Sequence, residues 1–294
     1  MKTTTSIDPR LLDNAALFQN EFFRRFALRH AEKPLQLDDQ VAKNYLFPTL
    51  YGDVTCAMAI FPCDYAAAAR LLPHPDVRPV RLTRGRSLVA FSCYEYKQVL
   101  GVAPYNEIAM TIPILVAPRV SVPVLPMLWN GYPGFGFYVF SMPVTSLENQ
   151  IRGRRIWGLP KVVQEIDLTE TNGECVTTAY EETGEPYFTL RVPTGGKPTH
   201  FDVSSYLYSR LGDDFLQSRT CFKATFNVNK YPAVLWQKGT RLADPYLRLG
   251  DTPAGRMLRE LGIEDQPLQF RFAKHLSSCF DLPEPSFRSP IRFA

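Results

Sequence analysis

Three features of the sequence predict a mainly β, α+β fold: about ten short apolar runs, 20 Phe and 14 Tyr set among 25 Pro, and helix signals confined to brief insertions. The runs recur at intervals suited to a sandwich or barrel rather than to βαβ units. The length of 294 residues allows one large domain with a substantial core.

The first segment follows a different period. Asp8-Pro9 offers an N-cap followed by proline at the first helical position, and Phe18, Phe22 and Phe26 recur at i, i+4 and i+8. This predicts an amphipathic helix over residues 9–30 whose aromatic stripe packs on the protein's own body. Residues 1–45 are therefore expected to form an N-terminal helical extension, irregular from residue 31, and residues 46–294 the main domain.

From Asp53 the pattern becomes strand-like: Val54 to Phe61, Ser87 to Tyr96, Glu107 to Val116, Gly136 to Met142, Val162 to Leu168, Cys175 to Tyr180 and Tyr187 to Val192. Thr220 to Val228, Ala233 to Gln237 and Pro267 to Phe272 complete the set. Short helices are expected at Cys63 to Leu72, before Pro73; at Ser204 to Leu211, before Gly212; and from Thr252-Pro253 to about Leu261.

Composition narrows the function classes. Hydrophobic residues make up 45% and charged residues 21%, both near globular averages. The net charge of +4 is dispersed, with no basic run longer than Arg154-Arg155, so nucleic acid is not an expected partner. Met1 to Arg10 lacks the apolar core of a signal peptide, and no apolar stretch is long enough to span a bilayer, so a cytoplasmic protein without a membrane partner is expected. The six cysteines are scattered without a C-x-x-C pair and read as reduced, buried thiols. The four histidines are far apart, and neither a metal site nor a cofactor is expected. Gly134-Phe-Gly136 leads into the strand Phe137-Tyr-Val-Phe rather than a helix, which removes a dinucleotide reading.

The stretch Arg152-Gly-Arg-Arg-Ile-Trp-Gly-Leu-Pro-Lys161-Val-Val carries the most chemistry. Gly158 and Pro160 bend the chain just before a strand and limit where Lys161 emerges. At pH 7 only about one ordinary lysine in 2,500 is neutral and able to attack a carbonyl. Lowering the pKa to about 6 takes roughly 6 kcal/mol of destabilisation of the ammonium, from burial and neighbouring cations together. Leu159, Pro160, Val162 and Val163 supply the apolar setting, and Arg152, Arg154 and Arg155 the cations. On this pattern alone Lys161 is either a nucleophile or a solvated lysine at a strand start.

Ile156-Trp-Gly-Leu-Pro-Lys161 resembles the segment around the Schiff-base lysine of the acetoacetate decarboxylase-like superfamily. Pro104-Tyr105-Asn106-Glu107, Gly250 to Leu261 and His275 to Pro283 resemble further segments of that family in the expected order. The resemblance implies an antiparallel, cone-shaped β-barrel with short peripheral helices. It implies Lys161 as the Schiff-base residue and Glu107 as its acid–base partner, with a homo-oligomeric assembly. Tyr94 and Tyr105 are then expected to hydrogen-bond substrate oxygens, Arg155 to meet a substrate carboxylate, and Phe91, Met142 and Trp157 to form apolar walls. Val162 stands where the decarboxylases carry a second lysine, and Ser92 where they carry a glutamate. The expected function is lysine-dependent lyase chemistry on a β-keto or 2-oxo acid, either decarboxylation or the aldol type. The alternative is a non-catalytic small-molecule-binding or regulatory member of the same superfamily.

Overall fold

Where a strand is covered on both faces, its sequence should be apolar at nearly every position; Tyr105–Val116 has eleven of its twelve residues buried, and from Ile108 onward Thr111 is its one polar residue. It belongs to a β-barrel with a second sheet packed on its outside. The computed structural model describes residues 1–128 and 132–293. Its main strands are β1 (Thr49–Asp64), β2 (Val77–Pro79), β3 (Arg86–Val99), β4 (Tyr105–Val116), β5 (Phe135–Val144), β6 (Lys161–Val163), β7 (Ile166–Thr171), β8 (Glu174–Tyr180), β9 (Pro186–Pro193), β10 (Lys197–Leu211), β11 (Asp214–Lys230), β12 (Leu247–Leu249) and β13 (Gln269–Pro283). The helices that matter here are α1 (Tyr65–Arg70), α2 (Leu147–Trp157) and α3 (Pro253–Arg259).

Seven strands close the barrel in the order β5–β10–β11–β13–β1–β3–β4 and back to β5. All of these pairings are antiparallel except β5 with β10, which is parallel and brief, at Phe137–Leu207 and Tyr138–Tyr208. Beyond that contact β6 takes the same edge of β5, with Lys161 opposite Met142 and Val163 opposite Val144. Lys161 thus enters the barrel wall where β5 and β10 diverge.

Strand alternation sorts the side chains into two cores. Ala57, Ala59, Phe61, Phe91, Cys93, Ile108 and Met110 point outward, against Cys175, Ala179, Phe188, Leu190 and Val192 of the antiparallel sheet β7–β8–β9–β12. Val54, Cys56, Tyr96, Tyr105, Ala109, Val139, Met142 and Val144 point inward with Ala224, Phe226, Val228 and Ala273. All six cysteines are buried and unpaired.

Four expectations are corrected. The N-terminal segment is not an α-helix: it forms 3-10 turns at Ala15–Leu17 and Phe23–Arg25, followed by short strand pairings. Asn14 exchanges hydrogen bonds with the Val99 carbonyl and the Gly101 amide, so tertiary contacts replace the helical ladder. The aromatic stripe does pack on the body, with Phe18, Phe22 and Phe23 against Leu50, Leu100, Cys221 and Cys279. Ser204 to Leu211 is strand rather than helix, because β10 and β11 pair as one long hairpin from Lys197–Val228 to Leu211–Asp214. Ala233 to Gln237 is not a strand; Pro232–Leu235 forms a 3-10 turn. Val162 to Leu168 divides into β6 and β7, which serve different sheets. Among the described residues no helix is long and apolar enough to cross a membrane.

Candidate functional site

Helix α2, absent from the sequence reading, delivers the lysine. Ser146 caps its start by accepting from the Asn149 amide, and Gly158 ends it in the left-handed conformation at φ 61°. The amides of Gly158 and Leu159 return to the carbonyls of Arg154 and Gly153. A Cβ on Gly158 would lie 2.2 Å from the Arg210 carbonyl oxygen, so glycine is required by both backbone angle and close approach. The chain then reverses through Pro160 and presents Lys161 at the first position of β6.

The Lys161 side chain lies along α2 at Gly153, where an added Cβ would stand 2.4 Å from its Cδ and 2.6 Å from its Cε. Gly153 therefore provides the groove that directs the amine inward. Gly153→Ala favours the helix by about 1 kcal/mol but overpacks the groove by roughly 1–3 kcal/mol. Its expected effect is a change of a few degrees in Tm and about a tenfold slower capture of a carbonyl compound by Lys161, read by mass spectrometry after reduction.

Glu107 reaches the same point from β4, 54 residues away in sequence. It pairs with Tyr94 on β3 and with Val144 on β5, and shares its face with Tyr105 and Ala109. Lys161 Nζ donates to Glu107 Oε2 at 2.5 Å, and the Tyr96 hydroxyl donates to Glu107 Oε1 at 3.3 Å. Lys161 and Glu107 are 6% and 5% exposed, which makes this a desolvated ion pair rather than a surface one.

Burial pulls the Lys161 pKa below the ordinary lysine value; Glu107 opposes that shift and Arg152 adds to it. Arg152 is 2% exposed, with Nη1 on Asn149 Oδ1, Nη2 on Thr49 Oγ1, both at 3.0 Å, and its guanidinium 4.3 Å over the Tyr45 ring. Sequence reasoning grouped three arginines near the lysine, and α2 turns only this one inward. Arg154 is exposed, and Arg155 is exposed and donates to the Gln36 carbonyl, away from Lys161.

The other expected residues divide between the two faces of the barrel wall. Tyr105 lies beneath the lysine, its ring centroid 5.6 Å from Nζ and its hydroxyl buried without a hydrogen-bond partner. Tyr96 stacks with Tyr94 at 5.1 Å and lies 4.9 Å from Tyr105. Burial holds the pKa values of Tyr94, Tyr96 and Tyr105 well above the usual phenol value, so all three keep their protons as donors. Met142 is adjacent to Lys161 across the β5–β6 pairing. Phe91 is on the opposite face of its strand, between Phe61 at 6.2 Å and Phe188 at 5.2 Å, and does not face the lysine. Trp157 ties α2 to β13: its Nε1 donates to the Asp281 carbonyl at 2.8 Å, and its ring packs on Phe47 and Phe280.

Val162, in place of the second lysine, is 42% exposed and alternates away from the amine. A cation there would be screened by solvent, whereas Arg152 acts from inside the protein. Removing Arg152 removes a repulsion, so the Lys161 pKa rises and its neutral fraction at pH 7 falls. Arg152→Gln should therefore move the pH profile of imine capture to higher pH, and Val162→Lys should leave it within about twofold. The same capture assay run across pH checks both.

Residues 33–227 match the family model described as Acetoacetate decarboxylase (ADC). A comparison with curated protein sequences gives no match. Among solved structures, the chain resembles an acetoacetate decarboxylase from Legionella pneumophila subsp. pneumophila str. Philadelphia 1, at 14% identity and a TM-score of 0.59 over 86% of this chain and 91% of that one. It also resembles the enduracididine biosynthesis enzyme MppR complexed with pyruvate, at 13% identity and a TM-score of 0.54 over 80% and 90% of the two chains. The family match spans about two thirds of the sequence and includes both Lys161 and Glu107; the chain belongs to the acetoacetate decarboxylase family.

Proposed function

We propose that this chain is a lysine-dependent lyase in which Lys161 forms a Schiff base with a β-keto or 2-oxo acid. The observation that carries the reading is the buried Lys161–Glu107 contact at 2.5 Å. It pairs the amine that must lose a proton with a carboxylate able to take it.

The resting pair holds an ammonium against a carboxylate. Transfer of one proton from Nζ to Glu107 frees the amine, which attacks the substrate carbonyl carbon as the C=O π bond breaks and its oxygen is protonated. Loss of water from the carbinolamine leaves an iminium. In a β-keto acid the bond to the carboxylate then breaks, carbon dioxide leaves, and the electron pair moves through the new C=C bond onto nitrogen. The two hydrogens of the water lost from the carbinolamine come from Nζ, one of them by way of Glu107. Glu107 therefore takes a fresh proton from solvent and gives it to the enamine carbon, and hydrolysis of the resulting iminium releases the ketone and restores the amine. Tyr96 holds the carboxylate in position throughout, and Tyr105 offers an unoccupied donor beside the lysine.

The test is borohydride reduction in the presence of a panel of β-keto and 2-oxo acids, followed by peptide mapping. A stable adduct on the peptide containing Lys161 is expected. The ion pair that keeps the resting amine charged favours one other reading, a protein that binds oxo acids reversibly without turnover. Binding without a trapped adduct for any acid would select it.

A further inference from the structure

Arg271 lies on β13 between Phe270 and Phe272, both of which belong to the core under the second sheet, so strand alternation turns Arg271 into the barrel. Its neighbours agree. It pairs with Met58 and Val228, which pack in the interior, and its guanidinium sits 4.7 Å over the ring of Phe201, another interior side chain. The same layer continues through Ser92 to Ala109, one same-face step, about 7 Å, from the layer of Tyr94 and Glu107. Three strand spacings, about 14 Å along the curved wall, separate Arg271 from Ala109, and the chord across the interior is shorter. The Tyr94 hydroxyl lies within electrostatic range of both Arg271 and Glu107.

This guanidinium has no acidic partner among the described residues. One nitrogen donates to Gln269 Oε1 at 2.9 Å, Nε is buried with no hydrogen-bond partner, and the titratable neighbours are the neutral Cys56 thiol and Tyr94 phenol. Burying a cation without a counter-charge is costly, and arginine cannot escape by deprotonating. The guanidinium carbon lies over the Phe201 ring, which holds the fork against one wall of the barrel, and Arg271 itself remains half-buried. A planar and incompletely bonded fork suits two carboxylate oxygens.

We propose that Arg271 anchors a second carboxylate of the substrate, remote from the reacting carbonyl, which makes the substrate an oxo dicarboxylic acid. The carbonyl end sits at Lys161, and this end alone rests on the function proposed above. The connecting methylenes pass over Tyr94 and Phe201, and the far carboxylate meets the guanidinium. Arg271 is therefore a specificity residue that sets both the charge and the length of the substrate.

The test uses saturated α,ω-dicarboxylates of increasing length and the matching monocarboxylates, titrated calorimetrically into the full chain. None of these has a carbonyl, so the result does not depend on imine formation. The wild type should bind one dicarboxylate length about tenfold or more tighter than its monocarboxylate. Arg271→Leu should bring the two to equal affinity with Tm little changed, and Arg271→Lys, which keeps the charge but not the fork, should lose most of the preference. Equal affinities in the wild type, or a preference that survives both substitutions, would overturn the proposal. An Arg271-dependent preference accompanied by no borohydride adduct at Lys161 would leave the anchor standing while removing the imine.

Discussion

Lys161→Arg should abolish turnover and borohydride trapping together while leaving the barrel folded. Arginine keeps the positive charge against Glu107, but its guanidinium stays protonated at any usable pH and cannot become the neutral nucleophile. The expected loss is at least about 10⁴-fold, the scale on which removing a covalent catalytic group falls back to binding and positioning alone. Intact-mass spectrometry after reduction reads the missing adduct, and thermal melting reads the fold. Because the groove at Gly153 is shaped for the narrow lysine chain, Lys161→Met serves as a second variant. It should also give no adduct. Trapping that persists in both variants would place the imine on another lysine.

Glu107→Gln should separate imine formation from turnover. Glutamine keeps the size of the side chain and can still accept from Tyr96, so packing changes little. Glu107 holds the Lys161 pKa up. Without it the pKa falls further, the neutral fraction at pH 7 grows, and trapping should be as fast as in the wild type or faster. The proton shuttle is lost at the same time, so steady-state turnover should drop about 10²–10⁴-fold. Single-turnover trapping and steady-state kinetics on the same protein check this. If both slow equally, Glu107 has a structural role at the lysine and not an acid–base one.

The site concentrates costs that a purely structural barrel would avoid. Lys161, Glu107 and Arg152 are charged groups buried in or beside one core, and Tyr105 Oη, Arg152 Nε and Arg271 Nε are buried without partners. Apolar residues of similar volume at such positions commonly give equal or greater stability. Retaining charges there is the compromise expected of a site that must desolvate an amine and receive an anion.

The sequence by itself determined the β-rich class, because apolar runs such as Ile108 to Val116, within the Glu107 to Val116 strand and with Thr111 as its one polar side chain, leave no polar face to meet water. It also marked the segment that presents Lys161: Gly158 and Pro160 bend the chain before it, and local backbone restriction needs no knowledge of distant contacts. The ends of α2 were written there too, in Ser146, Gly158 and the last-turn arginines, but its interior is mostly polar, so no apolar period announced a helix. Which arginine faces the lysine was decided by the rotation of α2 against the barrel, a packing outcome that places Arg152 inside and Arg155 in solvent. Phe91 and Tyr94 were separated in the same way, since three residues along a strand put them on opposite faces of the wall. The aromatic N-terminus had a helical period and no helix, because Asn14 and three phenylalanines found stronger partners on the barrel. Arg271 carried no signal in sequence at all. Its meaning comes from closure of the sheet, which brings β13 into the same interior as β4 and β6 and leaves the Arg271 guanidinium there with no acidic partner among the described residues.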